Sequence, residues 1–506
     1  MNENRTRNSI INFLAGGSLQ VIYILASFVA RTVFISLLNA DYLGINGLFT
    51  NILTILSFSE LGISSAIVFN MYKPAAEGDT CRLAALLNVY RIAYRIVAAT
   101  VLAIGFAITP LLPYILDETP DVRESITVIY WLFVANTASS YVFSYRKALF
   151  TAHQKDYVVV AVTRLFQIAM MAGQCLYLFF SRNYYGYLVL QIVATLVPNI
   201  IVHILAGKRF PEVISIGARK LPKQEQKKIM SDVGALFCYK VGVISMNSTS
   251  NVLITKLINV TTVGLCSNYV MVINAVETVL SKAFSGVVAS IGNLNASADN
   301  KAKQSIIGEL TTLTYWIYGF CAIALALLLN PLITVWIGSD YLIPDYMGAL
   351  ALVMTFYVFG MNLVASNFRT TMGYFQQVKF VPAIAAVMNI ALGILLGKWI
   401  GLVGIYLATS ITRILTFCLA DPIVVYKKGL QTGVKKYFLK QLGFFVLTIC
   451  NGGLCYWVIS FITVGGFGGL LLKGITVVIV ANLVYLIVLF RTPSFKKLLQ
   501  RIKHIR

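Results

Sequence analysis

Apolar runs recur along the whole chain, each close to the roughly 20 residues that a helix needs to cross a hydrocarbon core, with short polar breaks between them. The pattern predicts helices over 9–37, 42–70, 88–116, 125–150, 158–181, 186–206, 230–256, 263–291, 309–337, 345–368, 379–398, 401–425, 437–459 and 467–490, fourteen in all. Two divisions rest on short polar or Gly-containing turns: "SRNYYG" between the fifth and sixth helices, and "GKWIGLVG" between the eleventh and twelfth. The runs are continuous, not short and alternating, which argues against a transmembrane β-barrel. The expectation is an all-α polytopic membrane protein.

Charge placement tests the count, because a missed span would invert every later loop. One set of connections is poor in cations ("NADYLG", "DETPDVRE", "SRNYYG", "INVTT", "GSDYLIPD"). The other is rich in them ("YKPAAEGDTCR", "YRKALFTAHQK", "GKRFPEVISIGARKLPKQEQKK", "NKAKQ", "YKKGLQTGVKKYFLK"). The alternation persists to the basic tail "RTPSFKKLLQRIKHIR", so both termini are expected in the cytoplasm. The first apolar run is longer than a signal-peptide core and leads straight into further spans, so it reads as a retained helix.

Composition agrees with this picture: 58% of the 506 residues are hydrophobic and 12% charged. The net charge of +22 punctuates membrane segments instead of forming a basic domain with aromatic platforms, which argues against a nucleic-acid partner. Cys175, Cys238, Cys321 and Cys418 lie within apolar segments and form no C-x-x-C pair, while His153, His203 and His504 are far apart. Neither set suggests a metal site. The glycine clusters "LAGGS", "GLVG" and "VGGFGG" suit close packing or turns and lack the context of a nucleotide loop. Trp131, Trp316, Trp336, Trp399 and Trp457 read as interface or packing residues.

The chain also carries an internal echo. "GLFTN" at Gly47 to Asn51 returns as "GLCSN" at Gly264 to Asn268, 217 residues later. Thirteen residues beyond each glycine stands a glutamate, Glu60 and Glu277. "TPLL" aligns with "NPLI", placing Pro110 over Pro331, and "YRKALF" aligns with "FRTTMG", placing Arg146 over Arg369. Order and depth are kept, which predicts a six-helix duplication. The expected organisation is an N-terminal lobe over 1–210, a basic cytoplasmic linker over 211–229, a second lobe over 230–430, and two additional helices with a basic tail over 431–506. An even number of helices per repeat makes the repeats parallel, as in many alternating-access transporters.

Charges inside the spans are the candidate functional residues, since a lipid-facing charge costs roughly 3 kcal/mol near the bilayer centre. Arg164 and Lys282 fall toward the cytoplasmic halves, where snorkelling competes with a cavity role; Arg91 and Arg95 lie closer still to that interface. Arg31, Lys240 and Arg413 are deeper. Two arrangements stand open for them: pairing with Glu60 and Glu277 between lobes, or lining a hydrated cavity that attracts an anion. Arg31, Lys240, Arg413 and Arg164 are the candidate anion-binding residues, and Glu60 and Glu277 the coupling or pairing candidates.

The segment "NSIINFLAGGSLQVIYILASFVARTVFISLLNADYLGINGLFTNILTILSFSELGISSAI", the "YRKALFTAHQKDY" turn and the fourteen-helix plan together resemble the polysaccharide transporter (oligosaccharide flippase) family. That family belongs to the multidrug, oligosaccharidyl-lipid and polysaccharide exporter (MOP) superfamily. The resemblance implies two six-helix lobes in a V around a cationic cavity. It further implies flipping of an undecaprenyl-diphosphate-linked oligosaccharide across a bacterial inner membrane, for O-antigen, capsule or another exported glycan. It brings membrane lipids, a polysaccharide polymerase and a chain-length regulator as expected partners; Glu60 and Glu277 themselves leave two roles open, binding a coupling proton or sodium ion or neutralising nearby cations. The resemblance supplies no catalytic residues. In a related lipid II flippase group the last two helices form a groove for the polyprenyl tail, and 437–459 and 467–490 match that plan by position. Two other functions stand beside this one: an efflux carrier of the same fold for amphiphilic cations, and a membrane glycan polymerase or ligase, which the short outer loops disfavour.

Overall fold

The computed structural model describes residues 2–56, 63–115, 122–153, 155–217, 219, 221–222, 224–225, 234, 249–297, 300–374 and 376–497. Within them the chain is all-α. The principal helices are α1 (Asn2–Leu37), α2 (Ala40–Leu56), α3 (Ile63–Glu77), α4 (Thr80–Ile108), α5 (Ile126–Tyr141), α6 (Lys147–Ala152), α7 (Asp156–Ser181) and α8 (Tyr184–Arg209). They continue with α9 (Val260–Ser297), α10 (Asn300–Ile337), α11 (Tyr346–Thr371), α12 (Val381–Leu415), α13 (Phe417–Val424), α14 (Lys435–Ser460) and α15 (Gly466–Leu489). Among the described residues ten stretches are long and apolar enough to cross a membrane, and a shorter apolar helix, Ile22–Leu37, accompanies them. A helix satisfies its own backbone donors and acceptors, which is what hydrocarbon demands of an apolar run of this length.

The expected spans 42–70 and 230–256 fall partly outside the described residues. The expected pair 379–398 and 401–425 runs as a single apolar stretch, Gln376–Gly429. That stretch is broken where the glycines predict: Ile400 and Gly401 leave helical geometry, with Gly401 at φ 60° and ψ −136°. Only glycine adopts that conformation without strain. A methyl group on Gly404 would also collide with the Leu396 carbonyl across the bend. The other inferred division holds as well. α7 ends at Ser181, Arg182 turns left-handed at φ 48°, and the Asn183 side chain caps α8 by accepting from Gly186 N at 3.2 Å.

Two compact units make up the chain, Met1–Gly264 and Leu265–Arg506. In the first, α5 packs on both α4 and α8, and α7 on α1 and α8. In the second, α11 packs on α10, α12 and α13, while α14 and α15 pack on α10 and on each other. The neighbours of the expected fourth span, the third and sixth, are thus matched by those of the expected tenth, the ninth and twelfth. The "GLFTN" helix start lies against the segment before "GLCSN": Gly44 has no room for a side chain beside Val260, and Thr261 Oγ1 donates to Asp41 at 2.6 Å.

A buried ion pair in the second unit joins α11 to α13. Arg369 Nε lies 2.7 Å from Asp421 Oδ1, with the side chains 2% and 1% exposed, and Asn362 Nδ2 donates to the second carboxylate oxygen at 2.8 Å. Removing one partner strands the other charge without water. Asp421→Ala is therefore expected to destabilise the protein by about 3–5 kcal/mol, and Arg369→Met with Asp421→Leu to recover most of that loss. Thermal melting in detergent reads both; an unchanged melt for Asp421→Ala would show that the pair does not hold α11 to α13.

Candidate functional site

α11 carries the frame of the second unit on one stripe. Thr355, Phe359, Asn362 and Arg369 recur at intervals of four, three and seven residues, the spacing of one helix face. Each meets a residue of the twelfth span: Thr355 the Ser410 hydroxyl at 3.2 Å, Phe359 the Arg413 guanidinium at 5.1 Å from its ring centroid, and Asn362 and Arg369 the Asp421 carboxylate. Between Arg413 and Asp421 the helix breaks at Thr416 (φ −111°, ψ −84°), and beyond Asp421 it loosens into a π-turn over Val425–Gly429. Such breaks at membrane depth are tolerated where side chains or neighbouring helices take up the freed backbone groups.

Arg413 stands three residues before that break. Its charge acts on Glu277 of α9, and Glu277 in turn acts on Tyr318 of α10. Tyr318 is fully buried, its ring 5.1 Å from that of Phe356 and so close to Gly360 that a methyl group there would overlap it. The second unit thus gathers one cation, one carboxylate, a phenol and an aromatic face from four helices. A guanidinium stacked on an aromatic ring gains a cation–π attraction, and its planar fork suits recognition of oxyanions.

In the first unit the same pair of spans is tied by a parallel stripe with weaker chemistry. Thr195 Oγ1 donates to Asn136 at 2.7 Å, Asn199 Nδ2 to the Ser140 carbonyl at 3.2 Å, and Arg146 Nη1 to the His203 carbonyl at 3.1 Å. Arg146 and Arg369, aligned by the internal echo, both reach from the fourth span of their repeat to the sixth. One finds a backbone oxygen, the other a carboxylate.

Arg31 and Arg164 belong to the packed pair α1 and α7. Arg31 lies within electrostatic reach of Tyr184 and Tyr187 of α8, whose rings flank Phe34 at 6.0 and 5.2 Å. Arg164 sits 4.3 Å over the Tyr23 ring and donates to Gln167 at 2.9 Å. Tyr23 and Arg31 are eight residues apart, about 12 Å along α1, so the two arginines occupy different depths. Glu60 and Lys240 lie outside the described residues, and the side chain of Lys282 does too.

Several residues that the sequence reading misses prove structurally prominent. Asp421 stands in "CLADPIVV", an acidic residue in an apolar run, and the rule that singled out Glu277 applies to it equally. Lys440 of α14 donates to the Gly308 carbonyl at 3.0 Å and to Thr312 at 2.6 Å, fastening α14 to α10. Glu124 accepts from the Tyr42 hydroxyl and, at 2.9 Å, from Tyr184 N at the start of α8. Its partners are distant in sequence and leave no local signal.

No protein-family model matches the chain, and no curated protein sequence does. Solved structures do match. The lipid II flippase MurJ in its inward closed conformation superposes with a TM-score of 0.65 at 15% identity, covering 97% of this chain and 100% of that one. An inward-facing multidrug resistance MATE family transporter of the MOP superfamily follows at 0.63 and 10% identity, covering 83% and 99%. A MOP superfamily transporter from Pyrococcus furiosus, described as having a binding pocket of reversed polarity, gives 0.52 at 11% identity, covering 85% and 96%. At these identities the likeness concerns architecture: the chain has the polytopic, all-α fold of MOP-superfamily transporters.

Proposed function

We propose that this chain is a flippase that carries undecaprenyl-diphosphate-linked oligosaccharide from the inner to the outer leaflet by alternating access. Its frame is two six-helix lobes and two further helices, with both termini in the cytoplasm of a bacterium. The observation that carries the reading is coverage. The lipid II flippase spans 97% of the chain, whereas the MATE transporter spans 83%, a shortfall close to the share that residues 431–506 make up. An appended helix pair, α14 fastened to α10 through Lys440 and α15 through the Trp316–Asn482 hydrogen bond, fits a carrier of lipid-linked cargo better than an efflux carrier.

The chemistry supports the same cargo. A sugar-diphosphate head needs a positively biased polar route, while its tail stays in lipid. Arg164 and Arg413 each lie over an aromatic ring, and Arg31 lies within electrostatic reach of Tyr184 and Tyr187, so three cations stand at aromatic-rich positions within the spans. Glu277, within reach of Arg413, is the coupling candidate among the described residues: binding a proton or a sodium ion there would weaken its hold on the arginine. An efflux carrier for amphiphilic cations would call for buried carboxylates at the positions where this chain holds arginines.

Reconstitution in liposomes with labelled lipid-linked oligosaccharides tests the proposal. The wild-type protein is expected to flip diphosphate-linked cargo and to leave neutral glycolipids in place; no flipping across a panel of head groups, with folding verified, overturns it. Arg31→Gln and Arg413→Gln should each slow flipping about tenfold or more, the loss of one charge-assisted contact to an oxyanion. An imposed proton or sodium gradient should accelerate the wild type and leave Glu277→Gln indifferent. Equal rates with and without either gradient would remove Glu277 from the coupling role.

A further inference from the structure

A cleft of ≈ 300 Å³ opens on the second unit between α11, α12, α13 and α14. Its lining includes Met354, Val358 and Met361 of α11, Cys418 and Leu419 of α13, and Phe438 and Phe445 of α14. Ile414, Leu419 and Leu442, which also line it, are 38%, 38% and 58% exposed, so the cleft is open on one side and apolar where it opens. In a membrane-spanning unit such an opening is filled by lipid chain. None of its lining residues comes from α15, so it is not a groove between the last two helices.

The surroundings indicate which lipid. α13 continues through the π-turn into Lys427 and Lys428, and α14 begins with Lys435 and Lys436; all four are exposed, and a few residues of loop join the two pairs. Phe438 lies just two residues beyond Lys436, so the cleft begins directly above the lysines. Its lining on α14 runs from Phe438 to Phe445, seven residues or about 10 Å of rise. That is roughly two thirds of the 15 Å hydrocarbon depth of a single leaflet. Lysine-rich loops mark the cytoplasmic face.

We propose that this cleft is a binding site for an anionic phospholipid of the inner leaflet, one acyl chain lying along Phe438, Leu442 and Phe445 and the phosphate seated among Lys427, Lys428, Lys435 and Lys436. A clustered set of four lysines at the leaflet surface matches an anionic headgroup and discriminates against a zwitterionic one. The length of the cleft matches an acyl chain ending within its own leaflet and is far too short for an undecaprenyl chain. The site lies on the break-bearing α12–α13 segment that carries Arg413 and Asp421, so a resident lipid would brace that segment against α14. The inference rests on the membrane fold alone and stands apart from the cargo proposed above.

The test uses the full-length protein in nanodiscs, with retention of phosphatidylglycerol, phosphatidylcholine and undecaprenyl phosphate measured by native mass spectrometry after mild delipidation. Wild-type protein is expected to retain phosphatidylglycerol about tenfold over phosphatidylcholine. Replacing the four lysines by Gln should abolish that preference. Cys418→Phe, which fills the cleft, should lower phosphatidylglycerol retention while the lysines are intact, and Val358→Leu provides a milder filling if Cys418→Phe melts early. Equal retention of the two phospholipids by wild type, or undiminished retention in both the lysine and the cleft-filled variants, overturns the proposal. Preferential retention of undecaprenyl phosphate also overturns it, by assigning the cleft to a polyprenyl chain.

Discussion

A charge buried in a bilayer has no water to fall back on, and the way this chain answers that constraint organises its second unit. Arg369 and Asp421 neutralise each other at 2.7 Å, and Asn362 occupies the carboxylate's remaining oxygen. The pair costs desolvation on both sides, so its value lies less in net stability than in fixing which face of α11 meets which stretch of α12 and α13. Once that register is fixed, Thr355 meets Ser410 and Phe359 meets Arg413 by helical spacing alone. The first unit reaches the same register through amide, hydroxyl and carbonyl contacts, ending at Arg146 on the His203 carbonyl.

The stripe of the second unit places two cations in different settings. Arg369 is paired with Asp421 across α11 and α13, whereas Arg413 sits beside a helix break, over an aromatic face, with a carboxylate in reach from α9. Breaks at Ile400–Gly401 and Thr416 bound the twelfth span, whereas α11 runs unbroken from Tyr346 to Thr371. The proposed alternating-access carrier would draw on that contrast, with paired helices moving as bodies and broken helices making ligand and ion contacts.

Much of the fold was legible in the sequence because hydrocarbon leaves a polypeptide few options. Length and apolarity marked the ten spans that stand among the described residues, and Gly, Asn and local polarity placed the breaks after Ser181 and at Gly401 to within a residue or two. The echo that set Arg146 over Arg369 located two residues that turn out to play matching parts. The candidate site was less legible. Arg413 and Glu277 were visible as charges in apolar runs, but their aromatic neighbours Phe359 and Tyr318 were not, since one phenylalanine among thirty carries no mark of its face. Lys440 was hidden by its place near a helix start, where a lysine usually reaches water. The equivalence of Glu60 and Glu277, and the place of Lys240, rest on the sequence, as these residues lie outside the described ones.

The central claim is that Arg413 acts on cargo and does not merely balance Glu277. Exchanging the two charges, Glu277→Arg with Arg413→Glu, separates these roles, because a pair that only holds helices together works in either orientation. Flipping of a diphosphate-linked oligosaccharide by the exchanged protein in liposomes, measured alongside its melting temperature, is the direct measurement. The account predicts a melting temperature near that of the wild type and a loss of flipping at least as deep as that of Arg413→Gln. Flipping restored to the wild-type rate by the exchange would contradict it.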